Sequence, residues 1–244
     1  MDDAMPWLSD AVSNETVALI CDRVWLAVVQ RSLRPGTRLK EEDLAEVFGV
    51  SRARVRQALS LLEKDGLVSL VPNRGACIAE PSVAEARDAF YTRGFIEKRL
   101  VERLCASATQ DDIAALRAHI AKERTAHAGQ DSEAIIRLSG EFHMLIARLT
   151  DAQFLGEILR TLTTRTSLIT AMYQNESTQT CGPDEHEAIV DAIEQRDTAR
   201  AAGMMEHHLH HLEAALQLND AKSPAADLRA ALGVDSAAPS HGGA

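Results

Sequence analysis

The segment from Leu39 to Ile78, LKEEDLAEVFGVSRARVRQALSLLEKDGLVSLVPNRGACI, constrains the fold more than any other part of the chain. It reads as a helix, a tight turn, an arginine-bearing helix and a short two-stranded wing. Leu44, Ala45, Val47 and Phe48 form one helical stripe. Gly49 ends it, because glycine accepts the positive φ of a sharp turn. Ser51 stands where its hydroxyl caps the next helix. On that helix Val55, Ala58, Leu59 and Leu62 share one arc, and Arg52, Arg56, Gln57 and Ser60 share a neighbouring arc that faces outward. Arginine grips guanine O6 and N7 through two hydrogen bonds and glutamine does the same to adenine, so the outward arc suits a helix laid in the DNA major groove. Two arginines alone are also what an ordinary solvated face carries. The turn, the cap and the wing together favour DNA binding.

These residues resemble the winged helix-turn-helix of the GntR superfamily of bacterial transcription regulators. The resemblance runs from about Val17 to Ala79 through RPGTRL (Arg34 to Leu39), DLAEVFGVSR (Asp43 to Arg52), VRQALSLLEKDGLV (Val55 to Val68) and NRGACI (Asn73 to Ile78). It implies that Arg52 and Arg56 touch bases or phosphates, and that Gly75, with Arg74 beside it, lets the wing tip enter the minor groove. Ala53 and Arg54 stand where many members have Thr-Pro, and Gln57 where many have Glu. The lost proline removes a rigid helix start and Arg54 adds a positive charge, so the operator read here is expected to differ from that of typical members.

The 244 residues suffice for two domains with separate cores. Hydrophobic residues make up 45% and aromatics only 4%, with few Gly and Pro, which favours a mainly α protein with an aliphatic core. A net charge of −10 sits poorly with DNA binding until it is divided along the chain. From Asn14 to Ile78 there are 10 Lys+Arg against 8 Asp+Glu, a net of +2. The acidic excess lies elsewhere, which confines DNA contact to the first domain. Cys21, Cys77, Cys105 and Cys181 form no CxxC pair and read as reduced packing residues. With no signal peptide and no apolar run near the roughly 20 residues that span a bilayer, the expected location is the cytoplasm, with no membrane partner.

Glu80-Pro81-Ser82 marks a boundary. The expected organisation is a lead over 1–13, a DNA-binding domain over 14–80, a helical domain over 81–218 and a flexible tail over 219–244, with one short helix near 227–232. The helical domain reads as an antiparallel bundle of six helices, near 82–107, 110–128, 131–150, 152–174, 183–195 and 197–218. Ser82, Thr109, Asp131 and Asp197 are start signals; Gly129 and Cys181-Gly182-Pro183 are stops. Bundles of this kind build ligand and metal sites in their interior.

All nine histidines lie beyond residue 80. His143 neighbours Phe142 and Ile146, His186 precedes Ile189, Val190 and Ile193, and His208 sits one turn from Met205 and Leu212. Three inward imidazoles from three helices suit a divalent metal; a single histidine on an apolar face is more often a satisfied core residue. His207, His210 and His211 point to other, solvated faces.

The region from about Val83 to Leu216 looks like the helical effector domain of the FadR-type branch, the FCD domain. The matching pieces are FYTRGFIE (Phe90 to Glu97), LSGEFHMLIA (Leu138 to Ala147), DEHEAIVDAI (Asp184 to Ile193) and MMEHHLHHLEAAL (Met204 to Leu216). The resemblance implies a metal held by an Asp and three His, and the three His fall on His143, His186 and His208. The Asp falls on Ser139, a poor ligand. Arg93, one turn from Glu97, is read either as a surface ion pair or, by the resemblance, as an arginine facing the effector cavity. Arg165 and Tyr173 are further candidates for that cavity.

The expected function is a ligand-responsive transcription regulator, a repressor released by a small organic acid, working as a homodimer on an inverted-repeat operator. The expected metal is zinc or nickel. Three neutral imidazoles with no protein carboxylate would leave its charge uncompensated and so favour an anionic effector held by Arg93 near Ser139. The alternative is a metal-dependent hydrolase fused to a DNA-binding module, which lacks an HExxH motif and a placed general base.

Overall fold

In the computed structural model, residues 14–72, 74–174, 182–218 and 232 are described. Among them are nine helices and one three-stranded sheet. Helix α1 (Glu15–Val29) is capped by Asn14, whose side chain accepts from the backbone N–H of Thr16 and Val17. Strand β1 (Arg38–Leu39), α2 (Glu41–Phe48), α3 (Arg52–Lys64), β2 (Val68–Val71) and β3 (Gly75–Ile78) complete a winged helix-turn-helix. Gly49 ends α2 at φ 63°, the left-handed conformation that the turn requires. Leu44 is the fully buried residue of α2, and Val55, Ala58, Leu59 and Leu62 are the buried face of α3.

Two local expectations are corrected. Ser51 occupies the N-cap position of α3, but its hydroxyl makes no capping bond. The Ser51 carbonyl instead accepts from Arg54 and Val55, and its exposed side chain leaves the first N–H groups to water. The wing has three strands, not two: β1 pairs antiparallel with β3 through Arg38↔Cys77 and Leu39↔Ala76, giving the order β1-β3-β2. Two residues are too few for an alternating pattern to reveal a strand.

Six helices follow: α4 (Val83–Ser107), α5 (Gln110–Ala128), α6 (Ser132–Leu149), α7 (Gln153–Tyr173), α8 (Pro183–Glu194) and α9 (Thr198–Ala214). Ser82 with Glu85, and Thr109 with Asp112, form reciprocal capping boxes; Asp131 and Asp197 cap α6 and α9. The last helix ends at Ala214, four residues short of the expected 218. Helix α4 packs on α7 and α9, α6 lies between α5 and α7, and α8 packs on α5 and α9. Among the described residues, one hydrophobic cluster runs from the winged helix into the bundle, from Val24, Trp25 and Leu62 to Leu100, Phe142 and Ile189. Helix α7 carries it across, since it packs on α1 of the winged helix as well as on α4 and α6. Cys21, Cys77 and Cys105 are buried free thiols. Cys181, Asn73, the 1–13 lead and the expected 227–232 helix lie outside the described residues, Leu232 apart. No described helix is long and apolar enough to cross a membrane.

Candidate functional site

His143 on α6, His186 on α8 and His208 on α9 are each 1% exposed and meet in the bundle core. Each offers a ligand atom within 4.8 Å of the other two. The Nε2 atoms of His186 and His208 are 3.3 Å apart, as are those of His208 and His143. The face of His186 is held by Phe142, stacked at 3.9 Å between ring centres.

Behind every imidazole stands a carboxylate that sequence reasoning did not place. His143 Nδ1 bonds Glu97 of α4, His186 Nδ1 lies 2.9 Å from Glu123 of α5, and His208 Nδ1 lies 2.7 Å from Glu185 of α8. An ionised carboxylate only accepts, so each Nδ1 donates and each Nε2 keeps a bare lone pair. Burial pushes Glu97 upward, but Arg93 and His143 outweigh it and bring Glu97 down to about 2. Glu123 likewise ends at about 2 against its burial, through His119 and His186. Burial lowers His143 to about 3 and His208 to about 4, more than their carboxylate partners raise them. Neutral rings with lone pairs facing one another at 3.3 Å repel unless a cation lies between them. Two nitrogens bound to one tetrahedral ion at about 2.0–2.1 Å stand roughly 3.3 Å apart. The donor set therefore fits a divalent transition metal.

The three carboxylates overturn the expected charge imbalance. Together with Arg93 they balance a doubly charged ion without any effector. Glu97 lay hidden because His143 is 46 residues away along the chain, a separation that no local spacing bridges. Glu185 is turned away from its sequence neighbour His186, as helical geometry requires, and reaches His208 and the exposed His211 instead.

Beside His143 lies a cavity of about 400 Å³. Arg93 and Ser139 line it, with Thr163, Thr166, Ser167 and Thr170 of α7 and the apolar side chains of Ile135, Ile136 and Leu212. Arg93 is buried, pairs through Nε with Glu97 and donates from Nη1 to Thr166 Oγ1 at 3.0 Å. It is neither a surface ion pair nor an isolated cation: its charge is already balanced. Thr163 is 1% exposed, and its hydroxyl finds no hydrogen-bond partner among the described residues. Arg165 and Tyr173 are not in the lining. Arg165 is exposed and lies over Gly66, where an added Cβ would meet its Nε at 2.2 Å, and Tyr173 donates to the Pro81 carbonyl at 2.9 Å.

In the winged helix, Arg52, Arg54, Arg56, Gln57 and Ser60 are exposed along α3, and Arg74 and Gly75 are exposed at the wing turn, Gly75 at φ 76°. These arginines are not bare. Arg52 pairs with Glu42 at 2.9 Å and Glu41 at 3.4 Å, and Arg56 pairs with Glu41 at 2.8 Å. Arg54 donates to Thr16 Oγ1 at 3.0 Å. The run Glu41-Glu42-Asp43 signals this pairing only once the fold lays α2 across α3.

Residues 19–78 match the bacterial regulatory proteins of the gntR family, and residues 88–211 match the FCD domain. The chain belongs to the GntR family, in its FCD branch. Among its relatives in that family is the transcriptional repressor RspR of Escherichia coli K12, 25% identical over 186 residues, which cover 76% of this chain and 82% of RspR. The transcriptional repressor NanR of Salmonella newport is 30% identical over 203 residues, 71% of this chain and 74% of NanR. In fold the chain resembles E. coli McbR/YncC at a TM-score of 0.71 and 20% identity, over 82% of this chain and 96% of that one. As a GntR/FCD protein the chain is a ligand-responsive, DNA-binding transcription regulator. These relatives are transcription regulators and lend no support to a metal-dependent hydrolase.

Proposed function

We propose that this GntR-family regulator is a cytoplasmic repressor that binds an inverted-repeat operator as a homodimer and is released by a small carboxylate effector. Residues 14–80 act as the DNA-binding domain and 81–218 as the effector-binding and dimerisation domain. In DNA binding, Arg52, Arg56 and Gln57 read base edges, Ser60 and Arg54 take backbone contacts, and Arg74 and Gly75 enter the minor groove. Exposed Tyr91, Phe95 and Phe154 supply apolar surface on the helical domain for a second copy.

The observation that carries the effector half of this reading is the cavity that opens directly beside His143. His143, His186 and His208 hold a divalent ion, zinc or nickel, with Glu97, Glu123 and Glu185 fixing the rings. A bound ion supplies Lewis acidity toward an effector oxygen. Arg93 keeps Glu97 ionised and aimed at His143, while its remaining N–H donors and the Ser139 hydroxyl orient the effector carboxylate. The support for an acid is now the donor-rich lining, not an excess of positive charge.

The test is direct. Protein purified without chelators should contain about one divalent ion per chain by elemental analysis. It should bind a duplex selected from a random library and release it on addition of a small organic acid. Protein without metal that gains none on titration would refute the metal assignment. DNA binding indifferent to every small acid tried would refute the effector assignment.

A further inference from the structure

A site whose three imidazoles are each 1% exposed needs a way in for its ion. At the His143 corner the neighbour is the cavity. At the His208 corner it is a second group of histidines, set by the run His207-His208-Leu209-His210-His211 on α9. His208 turns into the core, while His207, His210 and His211 are exposed. His207 and His211 are one helical turn apart and so share a face. Their ring centres are 6.5 Å apart, with the planes tilted by 30°. Two histidines at this spacing on one helix face can ligate a single metal ion. In the triad the ring centres are 4.7, 5.2 and 5.4 Å apart. The outer pair is thus about 1–2 Å more open than a ligating pair, a difference that rotation of two exposed side chains closes.

One carboxylate joins the outer pair to the triad. Glu185, in the first turn of α8, accepts from His208 Nδ1 through Oε2 and from His211 Nδ1 through Oε1, each at 2.7 Å. Because His211 donates from Nδ1, its Nε2 keeps a lone pair, and the carboxylate behind the ring makes that nitrogen a better ligand. His211 is therefore prepared as the triad rings are, but on the outside. The side chains of His211, Glu185 and His208 are 55%, 28% and 1% exposed, a file that leads from water to the buried site.

We propose that His207 and His211 form an outer site for a divalent transition metal ion, through which the buried triad is loaded. This rests on the reading that the triad holds a metal. Two imidazoles suit zinc, nickel or copper, and water fills the remaining positions. Such a site binds weakly and releases readily. The triad adds a third imidazole and closes off solvent, so the ion moves inward toward the tighter site. Glu185 serves both ends of that path. Its carboxylate orients His211 while the ion is outside and His208 once the ion is inside, and its negative charge lies between them.

The experiment uses zinc chloride on metal-free, untagged, full-length protein. Calorimetry should show two equivalents, the second at least about tenfold weaker than the first. Gel filtration should strip the weaker one. His207→Ala/His211→Ala should remove the weak equivalent and leave the tight one within about twofold. It should also slow zinc uptake by the triad roughly tenfold, followed in stopped flow against a chromophoric chelator. Glu185→Gln should weaken both equivalents, by about 10–100-fold at the triad. His210→Ala, which spares the Glu185 file, should change neither. A single equivalent in native protein, or uptake at the native rate in His207→Ala/His211→Ala, overturns the outer loading site while leaving the triad reading intact. Native protein that shows only the weak equivalent, or none, overturns the triad reading, and the loading route with it.

Discussion

Arg160 of α7 reaches out of the helical domain and closes a buried ion pair on Asp65, the residue that ends α3. Burial raises the Asp65 pKa, although Arg160 opposes it. Further along α7, Arg165 covers Gly66, and Thr163 and Thr166 line the cavity beside His143. A few residues of one helix thus touch both the cavity wall and the C-terminal end of α3.

Removing one partner of such a pair strands the other in a low dielectric. Arg160→Ala should destabilise the chain by about 3–5 kcal/mol, measured by urea denaturation. The double variant Arg160→Met/Asp65→Leu should recover much of that stability yet loosen the coupling of effector to DNA. A loss below about 1 kcal/mol for Arg160→Ala would mean that water reaches the pair in solution.

On DNA, Arg52→Ala and Arg56→Ala should each weaken operator binding by roughly 1–3 kcal/mol, concentrated at one base pair. Arg54→Ala should act evenly across sequences, as a phosphate contact does. Anisotropy titrations on operator and mutated duplexes measure this. Full operator affinity in the Arg52→Ala/Arg56→Ala double variant would rule out α3 as the reading helix.

Glu41 and Glu42 occupy the two arginines as phosphates would, and the bond from Arg56 holds the Glu41 pKa below the usual carboxylate range. Glu41→Gln should raise affinity for random-sequence DNA more than for the operator, and steepen its salt dependence. Equal gains on both duplexes would show that the pairing carries no discrimination.

Much of this was legible in the sequence, for a physical reason. The six-helix bundle follows from local signals, with Ser82, Thr109, Asp131 and Asp197 each capping the helix they announce. The three histidines betray themselves by interrupting apolar stripes. What stayed hidden depends on contacts between distant segments. Glu97 and Glu123 look like any exposed helix glutamate until the bundle closes over them. Ser51 shows the reverse case, a residue in the capping position whose side chain does not cap.

His208→Ala should abolish tight metal binding and weaken acid binding with it. Ser139→Asp should strengthen metal binding and weaken acid binding, because its carboxylate competes for the same space and charge. Metal titration against a chromophoric chelator, with and without succinate, reads both effects. A Ser139→Asp protein that binds the acid more tightly would place the acid elsewhere.

The metal-free protein should lose stability as pH falls. His143 and His208 titrate near 3 and 4 when folded against an ordinary 6.5, so the unfolded chain takes up protons first. Glu97 and Glu123, at about 2 against 4.5, act in the same direction lower down. The stability these groups contribute is fully present above pH 6.5 and falls below it, by up to about 1.4 kcal/mol per pH unit for each histidine. Denaturation in chelator at about pH 7 and about pH 5 checks the sign; equal stability at the two would show the histidines to be water-exposed.

Each histidine of the triad is tied to a carboxylate on a helix other than its own, and the ties take in α4, α5, α6, α8 and α9. An ion at their centre would therefore fasten five of the six bundle helices at one point. A chain synthesised when metal is scarce would lack that fastening, breathe more, and fall sooner to cellular proteases. Metal supply would then set how many copies of the regulator the cell holds, a slow layer of control beneath the fast one that an effector would exert.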